Sequence, residues 1–241
     1  MFFGFNKKKL NRVVNKTYSG WELQYFDSSK NFRKYQYYLI KNFIKKYTAE
    51  IGPGNGENLD FYYKSTSKID LYETSKNLFK NLKKKYLKKK NIKIFNKNFK
   101  SKANKYNTII YLDVLEHIED DKKEITKAFN SLKKGGNLII NVPAFNHLYS
   151  QFDKDVGHYR RYDNKMIKKL TKRLKYKTLE TKYYDTIGYF LSLTSKLISS
   201  NYKKNFSKKI KIWNYLIFFS RLLDTITMNF FGKSLLIIVK K

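Results

Sequence analysis

Apolar and polar positions follow two different periods along this chain. Residues 32–46 place apolar side chains at helical spacing, at Tyr35, Leu39 and Phe43. Residues 107–112 form a short apolar run rich in β-branched side chains, which is typical of a buried strand. The same two patterns predict further helices over residues 58–63, 75–87 and 121–132, and strands over residues 47–51, 68–72, 92–95 and 138–142.

The order of these segments predicts the fold class. Strands alternate with helices, which favours an α/β, Rossmann-like, doubly wound and mostly parallel sheet with ligands at the carboxyl ends of its strands. Gly135 and Gly136 follow the helix at 121–132 and are expected to end it. The chain has 241 residues, only two prolines and no Gly/Ser-rich linker, so we expect one domain. Its expected parts are an N-terminal extension (1–31), a cofactor-binding core (32–184), a helical lid or insertion (185–232) and a last strand (233–241).

The insertion is aromatic and basic. Leu216, Phe219, Leu223 and Ile226 stand at helical spacing, and three interpretations stay open: packing against the sheet, a lid over an acceptor, or a helix in the plane of a membrane. No stretch reaches 18 uninterrupted apolar residues, so we expect no transmembrane helix. The apolar run at the N-terminus precedes its lysines, the reverse of a secretion signal. We therefore expect a cytoplasmic protein, with peripheral contact at the inner face of an anionic membrane left open.

Net charge and cysteine content limit the partners and the kinds of reactive site that this protein can have. The formal net charge of +33 favours a nucleic acid or an anionic membrane as partner. Only six of the 52 basic residues are arginine, and asparagine, tyrosine and isoleucine are abundant, so A- and T-rich codons explain the same profile equally well. The absence of cysteine excludes disulfides, thiolate nucleophiles and cysteine-ligated metal sites.

A glycine-rich turn carries the first chemical signal. Gly52, Gly54 and Gly56 alternate at the end of the first predicted strand, where bare backbone allows a sharp turn and close approach of a ligand. Glu73 stands at the tip of the second strand, where a carboxylate can accept both hydroxyl hydrogens of a ribose. The pair predicts a nucleoside site.

These residues resemble the class I S-adenosylmethionine-dependent methyltransferase family. The resemblance rests on Glu73 and on three segments, residues 49–56 (AEIGPGNG), 111–118 (YLDVLEHI) and 132–140 (LKKGGNLII). It implies S-adenosylmethionine as cofactor and a seven-stranded sheet whose last two strands, residues 177–184 and 234–239, form an antiparallel hairpin. It also implies contacts from the glycine turn to the methionine part, from Glu73 to the ribose, and from Asn98 or Phe99 to the adenine. The expected cofactor-binding residues are Glu50, Gly52, Gly54, Gly56, Glu73 and Asp113.

A second group of residues follows the fourth and fifth strands. Asp113, Glu116 and His117 would share one face if their segment is helical, as a metal or an acid/base cluster. Some ubiquinone-pathway O-methyltransferases have a similar run linked to a divalent cation. We expect no metal here and assign Asp113 instead to the floor of the cofactor pocket.

Residues 153–162 (DKDVGHYRRY) contain two of the six arginines side by side. The segment is similar to the Gly-His-x-Arg-Arg-Tyr run of a bacterial methyltransferase subgroup that often accompanies cell-surface glycan or lipid-linked sugar pathways. We expect His158 as general base and an acceptor pocket lined by His117, Arg160, Arg161 and Tyr162, with an arginine gripping an anionic group. The alternative is that an arginine pairs with Asp153 or Asp155 and pins the loop.

The sequence therefore favours methyl transfer from S-adenosylmethionine to a small-molecule or lipid-linked glycan acceptor, on oxygen or nitrogen. An RNA or other nucleic-acid methyltransferase is the rival, favoured by the charge. Against it, the chain lacks an Asn/Asp-Pro-Pro-Tyr motif, and without cysteine the pyrimidine C5 mechanism is excluded. A non-catalytic module that retains the fold is a third interpretation.

Overall fold

The computed structural model describes residues 22–26, 28–197, 203 and 205–241, so most of the predicted extension at 1–31 lies outside the described residues. The helices are α1 (Leu23–Phe26), α2 (Lys30–Ile40), α3 (Leu59–Tyr62), α4 (Lys76–Tyr86), α5 (Asp121–Ser131), α6 (Gln151–Val156), α7 (Asn164–Thr171), α8 (Thr186–Leu197) and α9 (Phe206–Ile226). The strands are β1 (Tyr47–Ile51), β2 (Lys68–Tyr72), β3 (Ile92–Phe95), β4 (Tyr106–Leu112), β5 (Leu132–Pro143), β6 (Lys177–Tyr184) and β7 (Ser234–Lys240).

Seven strands form one sheet in the order β3-β2-β1-β4-β5-β7-β6. The pairs among β1 to β5 are parallel, whereas β7 is antiparallel to both β5 and β6. The predicted Rossmann-like fold, with its antiparallel last strand, is confirmed.

Side chains of the central strands alternate between two cores, one on each side of the sheet. Ile109 and Tyr111 of β4 point into a core with α5 and α7, and Ile110 and Leu112 point into a core with α2, α3 and α9. Because both faces are covered, residues 109–112 of β4 are apolar in succession rather than in alternation, which explains this run in the sequence.

The predicted role of Gly135 and Gly136 was wrong. Helix α5 ends earlier, at Ser131, and β5 starts at Leu132 and continues through both glycines. The pairing of β4 with β5 jumps from Tyr106↔Leu132 to Thr108↔Asn137, so the glycines lie in an irregular part of the strand. The backbone of Gly135 has a φ of 75°, which favours glycine at this bend.

Helices α8 and α9 form the insertion between β6 and β7. Two buried carboxylates anchor it, Asp224 of α9 and Asp185 before α8. Asp224 accepts hydrogen bonds from the backbone N–H of Asp185 (2.9 Å) and of Thr186 (2.8 Å), and Asp185 accepts one from Trp213 Nε1 (2.9 Å). In the described parts of the chain, the helices are all too short or too polar to cross a membrane.

The buried stripe of α9 differs from the predicted one. Ile210, Trp213 and Ile217 face the core, whereas Phe219 and Ile226 of the predicted stripe are exposed. The helix is apolar on both sides, so its periodicity could not indicate which side faces the sheet.

Candidate active site

Three strands that meet at one edge of the sheet bring the cofactor-site residues together. Ile51, the last residue of β1, is in register with Tyr72 of β2 and with Tyr111 of β4. The residues that follow these strands therefore leave the sheet at the same edge. They are the glycine turn at 52–56, Glu73 and Asp113.

The three glycines of the turn all have positive φ, between 61° and 82°. A Cβ at Gly52 would lie 2.7 Å from a methyl group of Val114, and one at Gly56 would lie 2.8 Å from the ring of Tyr86. Packing therefore requires glycine at both positions. A Cβ at Gly54 would meet only Glu57 Oε2, at 4.0 Å, so open space faces the backbone there.

Glu73 lies directly against this turn. Its Oε2 accepts a hydrogen bond from the backbone N–H of Gly54 (3.3 Å), and its Oε1 accepts one from that of Ser75 (2.8 Å). Burial raises the pKa of Glu73, and these N–H groups oppose the rise. A carboxylate beside bare backbone and open space fits the ribose and methionine parts of S-adenosylmethionine.

Glu50 occupies a different environment from the other predicted cofactor residues. It is fully buried in β1, and the hydroxyl of Tyr62 donates a short hydrogen bond to its Oε2. Burial raises the pKa of Glu50 to about 7. Its described partner is thus in the protein interior, and its contact with the cofactor stays a prediction.

Asp113 follows β4 with a left-handed backbone (φ 57°) and lies outside the helical turn at Leu115–His117. The proposed shared helix face with Glu116 and His117 is therefore wrong for Asp113. Its Oδ1 accepts a hydrogen bond from Asn141 Nδ2 (2.7 Å), and Arg33 Nη1 lies 3.6 Å from its Oδ2. The adjacent Val114 packs against Gly52, so this segment borders the glycine turn.

His158 belongs to a cluster of buried titratable groups. Its Nδ1 lies 2.8 Å from Asp153 Oδ1, and its ring meets that of His117 edge-on at 4.7 Å. Burial alone would raise the pKa of Asp153, but the hydrogen bond with His158 and the charge of Arg161 hold it well below its usual range. Asp153 is therefore a carboxylate that accepts from Nδ1–H of His158, which leaves Nε2 as the ring nitrogen that can accept a proton.

Burial favours the neutral forms of both neighbours of His158. Burial, aided by the charge of His158, lowers the pKa of His117 to about 3. Burial, aided by the charge of Asp113, raises the pKa of Glu116 well above its usual range. One ligand atom from each of Glu116, His117 and His158 lies within 4.8 Å of the others, so these residues could also hold a divalent cation.

The paired arginines and Tyr162 are bound to the protein itself. Arg161 is buried and donates to both carboxylate oxygens of Asp153, at 2.9 and 3.0 Å. Arg160 Nη1 donates to Asp121 Oδ2 (2.6 Å), and the buried hydroxyl of Tyr162 donates to the same oxygen (3.0 Å). This geometry favours the alternative interpretation, in which ion pairs pin the loop, over an arginine that grips the acceptor.

His147 lies apart from the other two histidines. Its ring stacks on Phe145 at 5.2 Å, and its Nε2 is 3.1 Å from the hydroxyl of Tyr189 in α8. The site thus contains two of the chain's three histidines, His117 and His158.

Sequence reasoning missed Arg33 and Asn96, and the adenine contact of Asn98 or Phe99 stays a prediction. Arg33 lies in α2, far along the chain from every motif, and only its rarity in a lysine-rich chain could have drawn attention to it. Phe99 is a core residue that packs against Tyr72. Asn96 and Asn98 are both exposed, and Asn96, directly after β3, donates to the backbone oxygen of Glu73 (2.9 Å).

Comparisons with known proteins agree with this geometry. A family model described as a methyltransferase domain matches residues 23–181. An S-adenosylmethionine-dependent methyltransferase from Archaeoglobus fulgidus has a similar structure, with a TM-score of 0.62 and 15% identity over 94% of this chain and 100% of that chain. The phosphoethanolamine N-methyltransferase 2 of Haemonchus contortus, solved with S-adenosyl-L-methionine, gives 0.62 and 14% over 95% of this chain and 60% of that one.

No curated protein matches the chain in sequence. The structural likenesses are too low in sequence identity to show more than the fold, but the family model covers well over half of the chain. The chain therefore belongs to the methyltransferase domain family, as a class I S-adenosylmethionine-dependent methyltransferase.

Proposed function

We propose that this methyltransferase acts on a hydroxyl or amine of a small-molecule or lipid-linked glycan acceptor, with the cofactor held between the glycine turn and Glu73. The contact between Gly54 N–H and Glu73 Oε2 carries the proposal, because it brings bare backbone and an acidic side chain to one open space. When bound, S-adenosylmethionine supplies a methyl group already activated by the sulfonium. The protein's main task is then to position the acceptor.

Arg33 is proposed to hold the carboxylate of the cofactor. It lies in α2 beside Asp113. Its positive charge lowers the pKa of Glu50, which lies in β1 just before the glycine turn. Its Nε is buried without a hydrogen-bond partner among the described residues, and a guanidinium donates well to a carboxylate.

His158 is proposed as the general base. Asp153 orients the ring and holds the proton on Nδ1, so Nε2 can take the proton of an acceptor hydroxyl as the methyl group is transferred. Arg161 fixes Asp153 by donating to both of its carboxylate oxygens. Asp153 and Arg161 are thus positioning residues, which act on the reaction through His158.

Nucleic-acid methylation is the second candidate, and the net charge of +33 favours it. A transfer assay with tritium in the methyl group separates the two: the protein is incubated with membrane lipid extract, water-soluble glycans or total RNA from a bacterial lysate. We expect label in the lipid or glycan fraction. Label confined to RNA would contradict the proposed acceptor class while leaving the methyltransferase assignment intact.

A further inference from the structure

Helix α9 carries a second apolar stripe on the side opposite its buried one. The side chains of this stripe, which we name the outer face, recur every three or four residues. They are 48% to 73% exposed: Ile212, Tyr215, Phe218, Phe219, Leu222 and Ile226. A helix that is apolar on all sides is normally buried on all sides, either in a protein core or in contact with a membrane or a partner.

The exposed apolar surface continues beyond the helix. Met228, Phe230 and Phe231 follow α9 and are 73%, 64% and 47% exposed, and Phe190 of α8, which packs beside α9, is 53% exposed. No other part of the described chain covers these side chains. Apolar patches of this extent mark sites of protein or membrane interaction.

The charge around this surface has one sign. Residues 186–231 contain seven cationic residues and a single acidic one, Asp224, which is buried and hydrogen-bonded inside the fold. Lys208, Lys209 and Lys211 are exposed near the start of α9, and the guanidinium of Arg221 lies 5.2 Å from the ring of Tyr38 at the edge of the outer face. An apolar face with exposed cationic residues at its rim is complementary to an anionic lipid surface.

We propose that the outer face of α9 lies in the interface of an anionic lipid bilayer, with the helix axis in the membrane plane. A second copy of the chain fits less well, because it would bring two cationic rims together. Nucleic acid also fits less well, because Ile212, Leu222 and Ile226 offer neither charge to phosphates nor rings to bases.

The start of α9 adjoins the candidate acceptor site. Phe206, its first residue, stacks on Phe152 at 5.7 Å, and the ring of Phe152 is 6.4 Å from that of His158. Docking through the outer face thus holds the site beside the lipid surface. The membrane contact stands by itself, and only its use for a lipid-linked acceptor rests on the proposed function.

Co-sedimentation with vesicles tests the contact. Vesicles contain phosphatidylcholine alone or with about 30% phosphatidylglycerol, and we expect the full chain to bind the anionic ones preferentially. Phe218→Ser with Leu222→Ser should weaken binding by roughly tenfold or more, since both side chains leave the lipid. The control is Leu87→Ser, an equally exposed leucine at the end of α4, which should bind as the wild type does.

A second pair of variants separates local from overall charge. Lys208→Gln with Lys211→Gln should weaken binding by about tenfold, whereas Lys88→Gln with Lys90→Gln, which removes the same charge elsewhere, should change it by less than about twofold. Circular dichroism and calorimetry with S-adenosylmethionine show whether each variant keeps its fold and its cofactor site. Because calorimetry measures cofactor binding separately, a failure of the membrane contact can be distinguished from a failure of the proposed function.

Three results would overturn the membrane contact. The first is a wild-type protein that ignores anionic vesicles. The second is an equal loss of vesicle binding in the two lysine pairs, which would mean that net charge alone drives adsorption. The third is a wild-type dimer that the outer-face variant converts to a monomer, which would assign the face to a second copy.

Discussion

At the scale of single residues, Asp153 connects the segment 153–162 to His158, the proposed general base. One of its oxygens accepts from both His158 Nδ1 and Arg161 Nε, and the other accepts from Arg161 Nη2 and from the backbone N–H of Ser150. The carboxylate therefore has a full set of donors, and the ring of His158 cannot turn without breaking one of these bonds. This arrangement gives both His158 and Arg161 of the loop the same buried partner.

Replacing His158 tests its role as base. We expect His158→Ala to lower turnover by roughly a hundredfold or more, because no other described group near the acceptor side has a free proton-accepting nitrogen beside a carboxylate. The dissociation constant for S-adenosylmethionine should stay unchanged, as measured by calorimetry. His147→Ala is the matched control, since that histidine contacts Tyr189 instead.

Metal removal provides an independent readout for the same cluster. Because the base mechanism needs no Lewis acid, EDTA should leave turnover of the wild type unaffected. A loss of activity that Mg²⁺ or Mn²⁺ restores would contradict the base assignment and would instead assign Glu116, His117 and His158 as cation ligands.

Glu50 makes stability depend on pH. Its folded-state pKa of about 7 exceeds the ordinary value of 4.5, so the folded state binds the proton more tightly than the unfolded one. The stabilisation is complete below pH 4.5 and is lost as the pH rises through about 7, for a total of up to about 3 kcal/mol. Urea unfolding of wild type and of Glu50→Gln at several pH values measures it.

The informative quantity is the difference between the two proteins. Other buried acids give both proteins a common slope, so the wild type should lose stability relative to Glu50→Gln between pH 4.5 and 7. A difference that stays constant over this window would show that Glu50 titrates normally. It would also contradict the burial of the Glu50 carboxyl group in β1, which is what raises its pKa.

At the scale of elements, Asp224 holds the insertion to the sheet. Besides the two backbone N–H groups, its carboxylate accepts from the hydroxyls of Tyr35 (2.8 Å) and Thr186 (2.6 Å). Asp224→Ala leaves these buried donors unsatisfied, so we expect the free energy of unfolding to fall by about 3 kcal/mol. Denaturant titration measures the loss.

Glu119→Ala is the control for Asp224→Ala, because this side chain is exposed and only its backbone oxygen is used, by Arg160. It should change the unfolding free energy by less than about 0.5 kcal/mol. If the two variants were equally stable, the anchoring role of Asp224 would be refuted.

The elements themselves were largely predictable from the sequence. The strands over 68–72 and 92–95 have the predicted bounds, because short segments with isoleucine, leucine and aromatic residues are flanked there by polar residues. The wrong prediction for the two glycines arose because a local sequence pattern and non-local strand pairing favoured different structures. Gly135 and Gly136 look like a helix stop, yet pairing with β4 and the chain end makes them part of a strand, through bonds that are distant in sequence.

The candidate site was predictable to a different extent on its two sides. The glycine turn and Glu73 follow the ends of neighbouring parallel strands, so their proximity follows from topology alone. The partners of Arg160 and Arg161 depend on how separate loops pack, and the sequence could only offer alternatives. Arg33 carries no local signal because α2 packs beside the site from another part of the chain.

At the scale of the whole molecule, the chain combines a cofactor-binding edge of the sheet with an insertion that we propose contacts a membrane. The in-register ends of β1, β2 and β4 create the first, and the unpaired outer face of α9 creates the second. The excess of lysine has a function in this account only around the insertion, where the sole acidic residue is buried.

The most direct test is calorimetric titration of S-adenosylmethionine into the wild type, Glu73→Ala and the near-isosteric Glu73→Gln. The control is Glu180→Ala, because the side chain of Glu180 pairs with Lys182 on β6. Losing the charged hydrogen bonds should raise the dissociation constant of both Glu73 variants by about tenfold or more, and Glu180→Ala should match the wild type. Wild-type protein without detectable binding, or folded Glu73 variants that bind as tightly as the wild type, would contradict the account.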